Sequence, residues 1–313
     1  DDALCLLACI NSPAVELVGV SVTFGNANLT EMVDIARDLL DNFHPAGDLE
    51  VHVGAAGPGH HNVTTDAVAA MLNTATLDNG SSALTIVCAG PATNVASLLT
   101  LHPGVSTSIQ EVVVVAGRRP GQRFTTGAAT EHGHPDLNFE NDPAAFAVLL
   151  ASRMPLTYAP FEVSSQVRVT ETDLAAALGS GGAVGAYVAR VGAPWLRLWR
   201  DLFDVRYFHP FDSLAALRVT HPELLACDEL ESWVALGPDD AAHPGVQGRS
   251  GKELGGDETL KPYLLVGDGA PPGHDGPSRR VLYCHTPLEG AVQAIWESIL
   301  PPVRGGGGAA AEL

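Results

Sequence analysis

The stretch LTIVCAGPATNVASLLTL, residues 84–101, contains the pattern that decides the fold. Its first part, Leu84–Cys88, is a short apolar run with β-branched residues, which is typical of a buried strand. Ala89-Gly90-Pro91 has the composition of a turn. The residues from Ala92 to Leu101 then follow a helical pattern. A strand, a turn and a helix therefore follow one another without a break.

The same alternation recurs along the chain. Strand-like runs occupy residues 15–24, 51–53, 111–116, 155–160, 232–236, 262–266 and 281–284. Helical patterns occupy residues 3–10, 29–43, 65–77, 144–152, 174–203 with a glycine-rich break at 179–185, 213–219 and 288–300. Alternating strands and helices favour an α/β fold with a mostly parallel central sheet flanked by helices. We predict one such domain over residues 1–302, followed by a low-complexity, disordered tail at 303–313.

In open α/β sheets, ligands bind outside the carboxyl ends of the strands. Three predicted strand ends therefore indicate a site: Gly25-Asn26, Ala89-Gly90-Pro91 and the segment after Ala116. The last of these opens a long polar segment that extends to Asn141. A loop of that length inside a compact domain is usually functional or disordered.

Composition excludes several classes of protein. The chain has 313 residues, of which 46% are hydrophobic, and this suits a globular protein with a large core. Its formal net charge of -19 argues against binding to nucleic acid, which requires clustered Lys and Arg. No apolar run reaches the length of a transmembrane helix, so no membrane partner is expected. The expected partner is a small molecule, and a homo-oligomer is left open.

Five cysteines are scattered through the sequence, mostly in apolar runs, and none form a CxxC pair. They are Cys5, Cys9, Cys88, Cys227 and Cys284. This distribution predicts reduced core residues in a reducing compartment, and therefore a cytoplasmic protein.

An acidic pair, Asp1-Asp2, stands at the start of the helical run Ala3–Ile10. The N-terminus of a helix favours ionised carboxylates, because its N–H groups are unpaired and its dipole is positive there. One carboxylate could ligate a cation while the other binds a substrate or water. The alternative is a cap with an acid in the first turn, which is common.

Five segments in this order resemble the inosine-uridine preferring nucleoside hydrolase family. They are Asp1-Asp2-Ala3-Leu4, Phe24-Gly25-Asn26, Ala89–Asn94, Asp136-Leu137-Asn138 with Asp142-Pro143, and Phe211–Ala215. The resemblance extends from residue 1 to about residue 300. It implies the Rossmann-like nucleoside hydrolase fold and calcium-dependent hydrolysis of the N-glycosidic bond of ribonucleosides. The products would be a free nucleobase and ribose.

The resemblance also implies ligands for calcium. The family's N-terminal motif is Asp-x-Asp-x-Gly-x-Asp-Asp, and Asp1 and Asp2 match its last two positions. Asp2, Asp212 and the backbone carbonyl of Ala89 would then hold the ion. The first aspartate of the motif, which is the family's usual general base, is expected to be missing together with the first strand. On propensity alone, Asp212 could instead cap a helix that starts at Ser213.

Four residues match the family's ribose-binding positions: Asp1, Asn26, Asp136 and Asn138. Asp1, Asn138 and Asp212 are the expected catalytic residues. The amides of Asn26 and Asn138 would bind hydroxyl groups without adding charge. Without the resemblance, Asn26 is equally well explained as a turn residue.

The sequence gives fewer indications of the residues that would contact the leaving nucleobase. A histidine often precedes the last aspartate in the family, and Phe211 stands in its place. His209, two residues earlier, is a candidate to contact the substrate instead. Tyr207 and Phe208 are candidates to cover the base. A second hypothesis is a non-catalytic or truncated ligand-binding relative, since the family's usual general base has no counterpart.

Overall fold

The computed structural model describes residues 1–44, 49–77, 84–127, 134–180, 182–240 and 260–300. The helices are α1 (Asp2–Asn11), α2 (Leu29–Phe43), α3 (Asp66–Thr76), α4 (Thr93–Leu101), α5 (Leu137–Asn141), α6 (Pro143–Ala151), α7 (Phe161–Ser164), α8 (Glu171–Gly179), α9 (Ala183–Phe203), α10 (Phe211–Thr220) and α11 (Ala291–Ile299). The strands are β1 (Val20–Val22), β2 (Val51–Val53), β3 (Leu84–Cys88), β4 (Ile109–Val114), β5 (Leu156–Tyr158), β6 (Val169–Thr170), β7 (Tyr207–Phe208), β8 (Leu225–Pro238), β9 (Leu260–Gly267) and β10 (Ser278–Pro287).

The main sheet has six strands in the order β3-β4-β5-β10-β8-β9. The first four are parallel to one another, whereas β8 and β9 pair antiparallel. Strands β1 and β2 form a separate parallel pair, and β6 and β7 a small antiparallel one. The prediction of an α/β fold with a mostly parallel central sheet is confirmed.

Helices cover both faces of the main sheet, and β4 shows how its sequence produces this. Successive side chains of a strand point to opposite faces. Val112 and Val114 pack with the core under α4 and α6, whereas Val113 packs with the core under α1 and α10. All three are buried, so the continuous apolar run reflects a strand covered on two sides.

The side chain of Asn94 joins α4 to the β1–β2 pair. Its Nδ2 donates to the carbonyl of Val22 at 3.3 Å, and its Oδ1 accepts from the N–H of Ala55 at 2.8 Å. Gly54 leaves the room for this contact, because a Cβ there would lie 2.3 Å from both Asn94 Nδ2 and the carbonyl oxygen of Val22. The end of β1 is therefore fixed against the start of α4.

Two sequence predictions differ from the structure at element boundaries. The strand expected over residues 15–24 is reduced to Val20–Val22, because its partner β2 is only Val51–Val53. In contrast, β8, β9 and β10 are longer than the apolar runs that predicted them, because β8 pairs with β10 on one side and with β9 on the other along most of its length. The domain boundary at residue 302 stays a prediction, because residues 301–313 lie outside the described ranges.

The prediction of five reduced cysteines is wrong for two of them. Cys227 and Cys284 form a disulfide. They stand opposite each other in the register of β8 and β10, at a separation of 57 residues in the sequence. Cys5, Cys9 and Cys88 are free and buried, as expected. Within the described residues, no helix is both long enough and apolar enough to span a membrane.

Candidate active site

Three carboxylates from two helices meet at one place. Asp1 and Asp2 stand at the N-terminus of α1, and Asp212 lies in the first turn of α10. The two helices pack against each other. Each residue offers a carboxylate oxygen, and these oxygens all lie within 4.8 Å of one another. We call Asp1, Asp2 and Asp212 the acidic cluster.

The structure places Asp1 and Asp2 where the capping alternative expects them, but without a side-chain capping hydrogen bond within the described residues. Helix α10 begins at Phe211 and has Pro210 at its N-cap, so Asp212 does not cap a helix from Ser213. Asp1 occupies the N-cap position of α1, but its side chain makes no capping hydrogen bond within the described part of the chain. The helices therefore position Asp1 and Asp212, but neither side chain acts as the cap of its helix.

The carboxylates of the acidic cluster repel one another. Asp212 is only 3% exposed. Burial raises the pKa of Asp212 well above its usual range, and the negative charge of Asp2 raises it further. The α-amino group of Asp1 offsets part of this rise. A divalent cation would balance these charges, and a set of oxygen ligands suits calcium.

Asn138 links the ends of two strands beside this edge of the sheet. Its Nδ2 donates to the carbonyl of Ala89, after β3, and to the carbonyl of Val115, after β4, both at 3.0 Å. The Oδ1 of Asn138 is then the atom that suits a substrate hydroxyl. A carbonyl oxygen has two lone pairs, so the bond to Asn138 still leaves Ala89 an acceptor site. The metal-ligand role of Ala89 stays a prediction.

Asp136 is held rigidly at the start of α5. Its Oδ2 accepts from the N–H of Gly117 at 2.8 Å, and its own N–H donates to Oε1 of Glu140 at 2.9 Å. Burial raises the pKa of Asp136 to about 6, although the charge of Arg118 opposes the rise. Asp136 therefore changes charge close to neutral pH.

A second group of charged side chains supports Asp136. Lys261 Nζ lies 2.8 Å from Oε1 of Glu140 and 3.0 Å from Oδ1 of Asp240, while Arg118 Nη1 donates to Oδ2 of Asp240 at 2.8 Å. The side chains of Lys261 and Arg118 are 1% and 2% exposed. We call Arg118, Glu140, Asp240 and Lys261 the buried ion network.

Two predicted substrate residues have different surroundings. Asn26 is exposed in the turn after β1. His209 is buried, and its Nδ1 lies 2.7 Å from the carbonyl of Val167. Because a carbonyl only accepts, Nδ1 of His209 carries the hydrogen. Burial lowers the pKa of His209, so the ring is neutral at pH 7 and its Nε2 is an acceptor.

A cavity of about 430 Å³ lies beside His209. We call it the polar cavity, and its lining residues are Gln122, Arg123, Thr125, Thr126, Gly127, Phe161, Glu162, Ser165, Arg168, Tyr207 and His209. The ring of Phe161 has its centroid 5.9 Å from that of Phe211, the neighbour of Asp212 in the sequence. One lining residue of the polar cavity therefore packs against the residue that precedes Asp212.

The model of the family described as inosine-uridine preferring nucleoside hydrolase matches residues 1–255. The chain belongs to this family. The match includes the acidic cluster, Ala89, Asn138 and His209. The resemblance inferred from the five sequence segments is therefore confirmed.

Relatives of this chain include the pyrimidine-specific ribonucleoside hydrolases RihA of Salmonella schwarzengrund and Salmonella typhimurium. Each is 26% identical to it over 216 residues. These alignments cover 61% of this chain and 66% of the relative, just under two thirds of its length.

Solved structures of similar fold include a plant nucleoside hydrolase, PpNRh1, with a TM-score of 0.74 at 16% identity and 96% coverage of both chains. A purine-preferring ribonucleoside hydrolase from Gardnerella vaginalis has a TM-score of 0.71 at 16% identity, with 95% of this chain and 94% of that chain covered. At such identities the likeness establishes the fold of this chain and nothing finer.

Several residues that line the polar cavity were not predicted from the sequence. The sequence could have indicated Phe161, because this residue directly follows the predicted strand 155–160 and so lies at the carboxyl end of a strand. Arg168 and Thr126 carried no such signal. They reach the cavity from segments whose path depends on tertiary packing.

Proposed function

We propose that the chain is a calcium-dependent ribonucleoside hydrolase that releases a free nucleobase and ribose. The observation that carries this proposal is the convergence of Asp1, Asp2 and Asp212 at one edge of the sheet. Membership of the nucleoside hydrolase family supports it. So do the relatives named ribonucleoside hydrolases.

The residues that would hold calcium are Asp2, Asp212 and the carbonyl of Ala89. When bound, calcium supplies ligand positions for ribose hydroxyls and lowers the pKa of a water molecule. Asp1 is the one carboxylate of the acidic cluster that does not hold calcium in this scheme, so it is available to the ribose and to the attacking water. We assign Asp1 to accept a hydrogen bond from a ribose hydroxyl and to take the proton of the attacking water.

Asn138 and Asp136 would hold the ribose from the other side. The bonds from Asn138 Nδ2 to Ala89 and Val115 fix its amide, so that Oδ1 can accept from a hydroxyl without rearrangement. Asp136 would act as an acceptor once it is ionised, which its pKa of about 6 permits at neutral pH. Asn26 would complete the ribose contacts from the turn after β1.

The reaction replaces one bond at C1′ with another. The C1′–N bond breaks, and its electron pair leaves with the base. The oxygen of water bonds to C1′, its proton passes to a carboxylate, and the ribosyl group develops oxocarbenium character on the way. The base would occupy the polar cavity, between Phe161 and Tyr207. His209 is neutral there, so it contacts the base without being its proton donor.

Hydrolysis of p-nitrophenyl riboside, followed with added calcium and then with a chelator, tests this function. We expect release of nitrophenolate with calcium and its loss with the chelator. Asp212→Asn should lower the rate at least about 100-fold, because a carboxylate that both holds the metal and charges the site is gone. Glu229→Gln, on an exposed side chain of β8, is the matched control and should change nothing. Calcium-independent turnover, or normal calcium binding by Asp212→Asn in calorimetry, would contradict the proposal.

A further inference from the structure

Glu140 joins Asp136 to the rest of the buried ion network through a single oxygen. Its Oε1 accepts from the backbone N–H of Asp136 at 2.9 Å, lies 2.8 Å from Nζ of Lys261 and lies 3.8 Å from Nη2 of Arg118. The side chain of Glu140 is 6% exposed, so water and salt screen its charge little. The network therefore meets Asp136 directly and not across solvent.

Arg118 follows the residue that binds the Asp136 carboxylate. The N–H of Gly117 donates to Oδ2 of Asp136 at 2.8 Å, and two backbone hydrogen bonds fix Arg118 to β9. The guanidinium carbon of Arg118 lies 3.9 Å from the centre of the Phe124 ring. Arg118 therefore holds its positive charge at a fixed place beside the segment that binds Asp136.

The guanidinium of Arg118 is only partly paired. Its Nη1 donates to Oδ2 of Asp240 at 2.8 Å, but its buried Nε and Nη2 make no hydrogen bond within the described residues. A buried charge acts over a longer distance than an exposed one, because its surroundings screen it weakly. The charge of Arg118 therefore also acts on Asp136, and it favours the ionised carboxylate.

Two tyrosines from neighbouring strands are the other titratable groups that act on Asp136 within the described residues. They are Tyr158 of β5 and Tyr283 of β10. Burial raises the pKa of both hydroxyls well above their usual range, so both are neutral near pH 7. Lys261 of β9 adds a second positive charge. The charged side chains that act on Asp136 therefore belong to the buried ion network.

The two signs of charge in the network oppose each other at Asp136. Glu140 repels the ionised carboxylate, whereas Arg118 and Lys261 stabilise it. Removal of one sign alone would shift the titration of Asp136 in the direction that the remaining sign favours. The balance of the network therefore determines the pH at which Asp136 ionises.

We propose that Glu140 and Arg118 are positioning residues of the reaction, which set the pH below which the ribose is no longer held. This inference rests on the proposed function, in which Asp136 accepts a hydrogen bond from a ribose hydroxyl. The ionised carboxylate makes a charge-assisted hydrogen bond with that hydroxyl, and protonation removes the charge that strengthens it. Glu140 and Arg118 act through Asp136 and not by contact with the substrate.

The pH dependence of kcat/KM for p-nitrophenyl riboside tests the inference, at saturating calcium and with each sample made alkaline before nitrophenolate is read. The wild type should lose activity below about pH 6, where Asp136 is protonated. Glu140→Gln keeps an acceptor for the N–H of Asp136 but removes the charge, so this acid limb should move down by about 0.5 pH unit or more. Arg118→Met should move it up by a similar amount.

Opposite shifts distinguish tuning from a structural role, which would lower activity at every pH without moving the limb. Shifts in the same direction, or an unmoved limb in both variants, would overturn the inference. Glu140→Gln nearly preserves the shape of the side chain, so it decides the test even where Arg118→Met does not fold.

Two controls locate the effect at Asp136. Glu111→Gln also neutralises a carboxylate paired with an arginine, since Glu111 accepts from Arg218 at 2.8 Å. It lies near the start of β4, about 20 Å along the strand from Gly117, so the limb should stay that of the wild type. In an Asp136→Asn background, Glu140→Gln should no longer move the limb. A shift that persists there would assign the effect to another group and overturn the inference.

The failure of the proposed function would look different, as no hydrolysis of p-nitrophenyl riboside at any pH. In that case two measurements still decide the inference. One is an NMR titration of the carboxyl carbon of Asp136, assigned by its loss in Asp136→Asn. The other is calorimetric titration with ribose and calcium from pH 5 to pH 7. Opposite shifts of the carboxyl in Glu140→Gln and Arg118→Met, followed by the affinity for ribose, support it. An unshifted carboxyl, or no binding of ribose, contradicts it.

Discussion

The acidic cluster and the buried ion network are both groups of buried or half-buried charges, yet only one is balanced. In the network, Lys261 and Arg118 meet Glu140 and Asp240 at distances of 2.8–3.0 Å. In the acidic cluster, Asp1, Asp2 and Asp212 converge, and no Lys or Arg side chain pairs with them among the described residues.

This difference distinguishes charges that support the fold from charges that are left available to bind a ligand. Buried ions cost several kcal/mol each in desolvation, and only close partners offset this cost. Each charge of the network has a close partner of opposite sign, although Nε and Nη2 of Arg118 make no hydrogen bond within the described residues, and these pairs hold Asp136 and the β8–β9 pair in place. In the acidic cluster no Lys or Arg side chain offsets the carboxylates within the described residues, so their mutual repulsion destabilises the fold. An unbalanced group at a strand edge therefore indicates a ligand site, whereas a balanced one indicates a support.

The largest expected effect comes from breaking the balanced region. Lys261→Met removes the cation that Glu140 and Asp240 share, and leaves their charges buried. We expect the free energy of unfolding to fall by about 3–5 kcal/mol. Denaturant titration measures it.

The control for this substitution is Arg280→Met, since Arg280 forms an exposed pair with Glu229 at 3.7 Å. That change should stay within about 0.5 kcal/mol, as is usual for exposed pairs. If the two substitutions cost the same, the contrast between the two regions fails.

Asp136 lies between the two regions, and its titration gives the next effect. Its pKa is about 6 in the folded chain against an ordinary value of 3.8. Below about pH 4 both states bind the proton and stability is fully present. As the pH rises from 4 to 6 the unfolded chain ionises first, so the free energy of unfolding falls, by about 2–3 kcal/mol in total.

The measurement for Asp136 is a comparison of the wild type with Asp136→Asn from pH 4 to pH 7. The variant cannot titrate at this position, so its stability should decline less over this range. Parallel curves for the two proteins would show that Asp136 is not the group responsible.

A smaller effect of opposite sign is expected in the acidic cluster. Asp212→Asn removes one of several like charges without changing shape, so without calcium it should stabilise the fold by about 1–2 kcal/mol. With calcium at about 100 times its dissociation constant, the wild type should gain about 2.7 kcal/mol and the variant nothing. Thermal denaturation with and without calcium measures both. A loss of stability in calcium-free Asp212→Asn would show that the cluster is already balanced.

The fold was largely predictable because it follows from local patterns. Apolar strands, turns and helices alternate, and β3 and α4 appear within a few residues of their predicted bounds. Distant pairings were not predictable. Lys261 and Glu140 meet across 121 residues, and the disulfide joins Cys227 to Cys284 across 57. A sequence shows that such side chains are buried, but not which partner faces them.

The residues of the candidate site likewise fall into those that the sequence predicted and those that it could not predict. Asp1, Asp2 and Asp212 were predicted through the family resemblance, and the structure brings them together. His209 was also predicted, but its role as an acceptor depends on the carbonyl of Val167, which no local pattern indicates. Thr126 was missed, because an unpaired hydroxyl is visible only after the chain has folded.

The joint at Asn94 has a consequence for motion. The β1–β2 pair shares no backbone hydrogen bond with the six-stranded sheet within the described residues, and the carboxamide of Asn94 connects its end to α4. Small units with few connections open locally at lower free energy than the rest of a domain. Loss of this carboxamide should therefore let the β1–β2 pair open at lower free energy than the main sheet. The turn that carries Asn26 would be loosened with it, whereas the carboxylates on α1 and α10 would keep their positions.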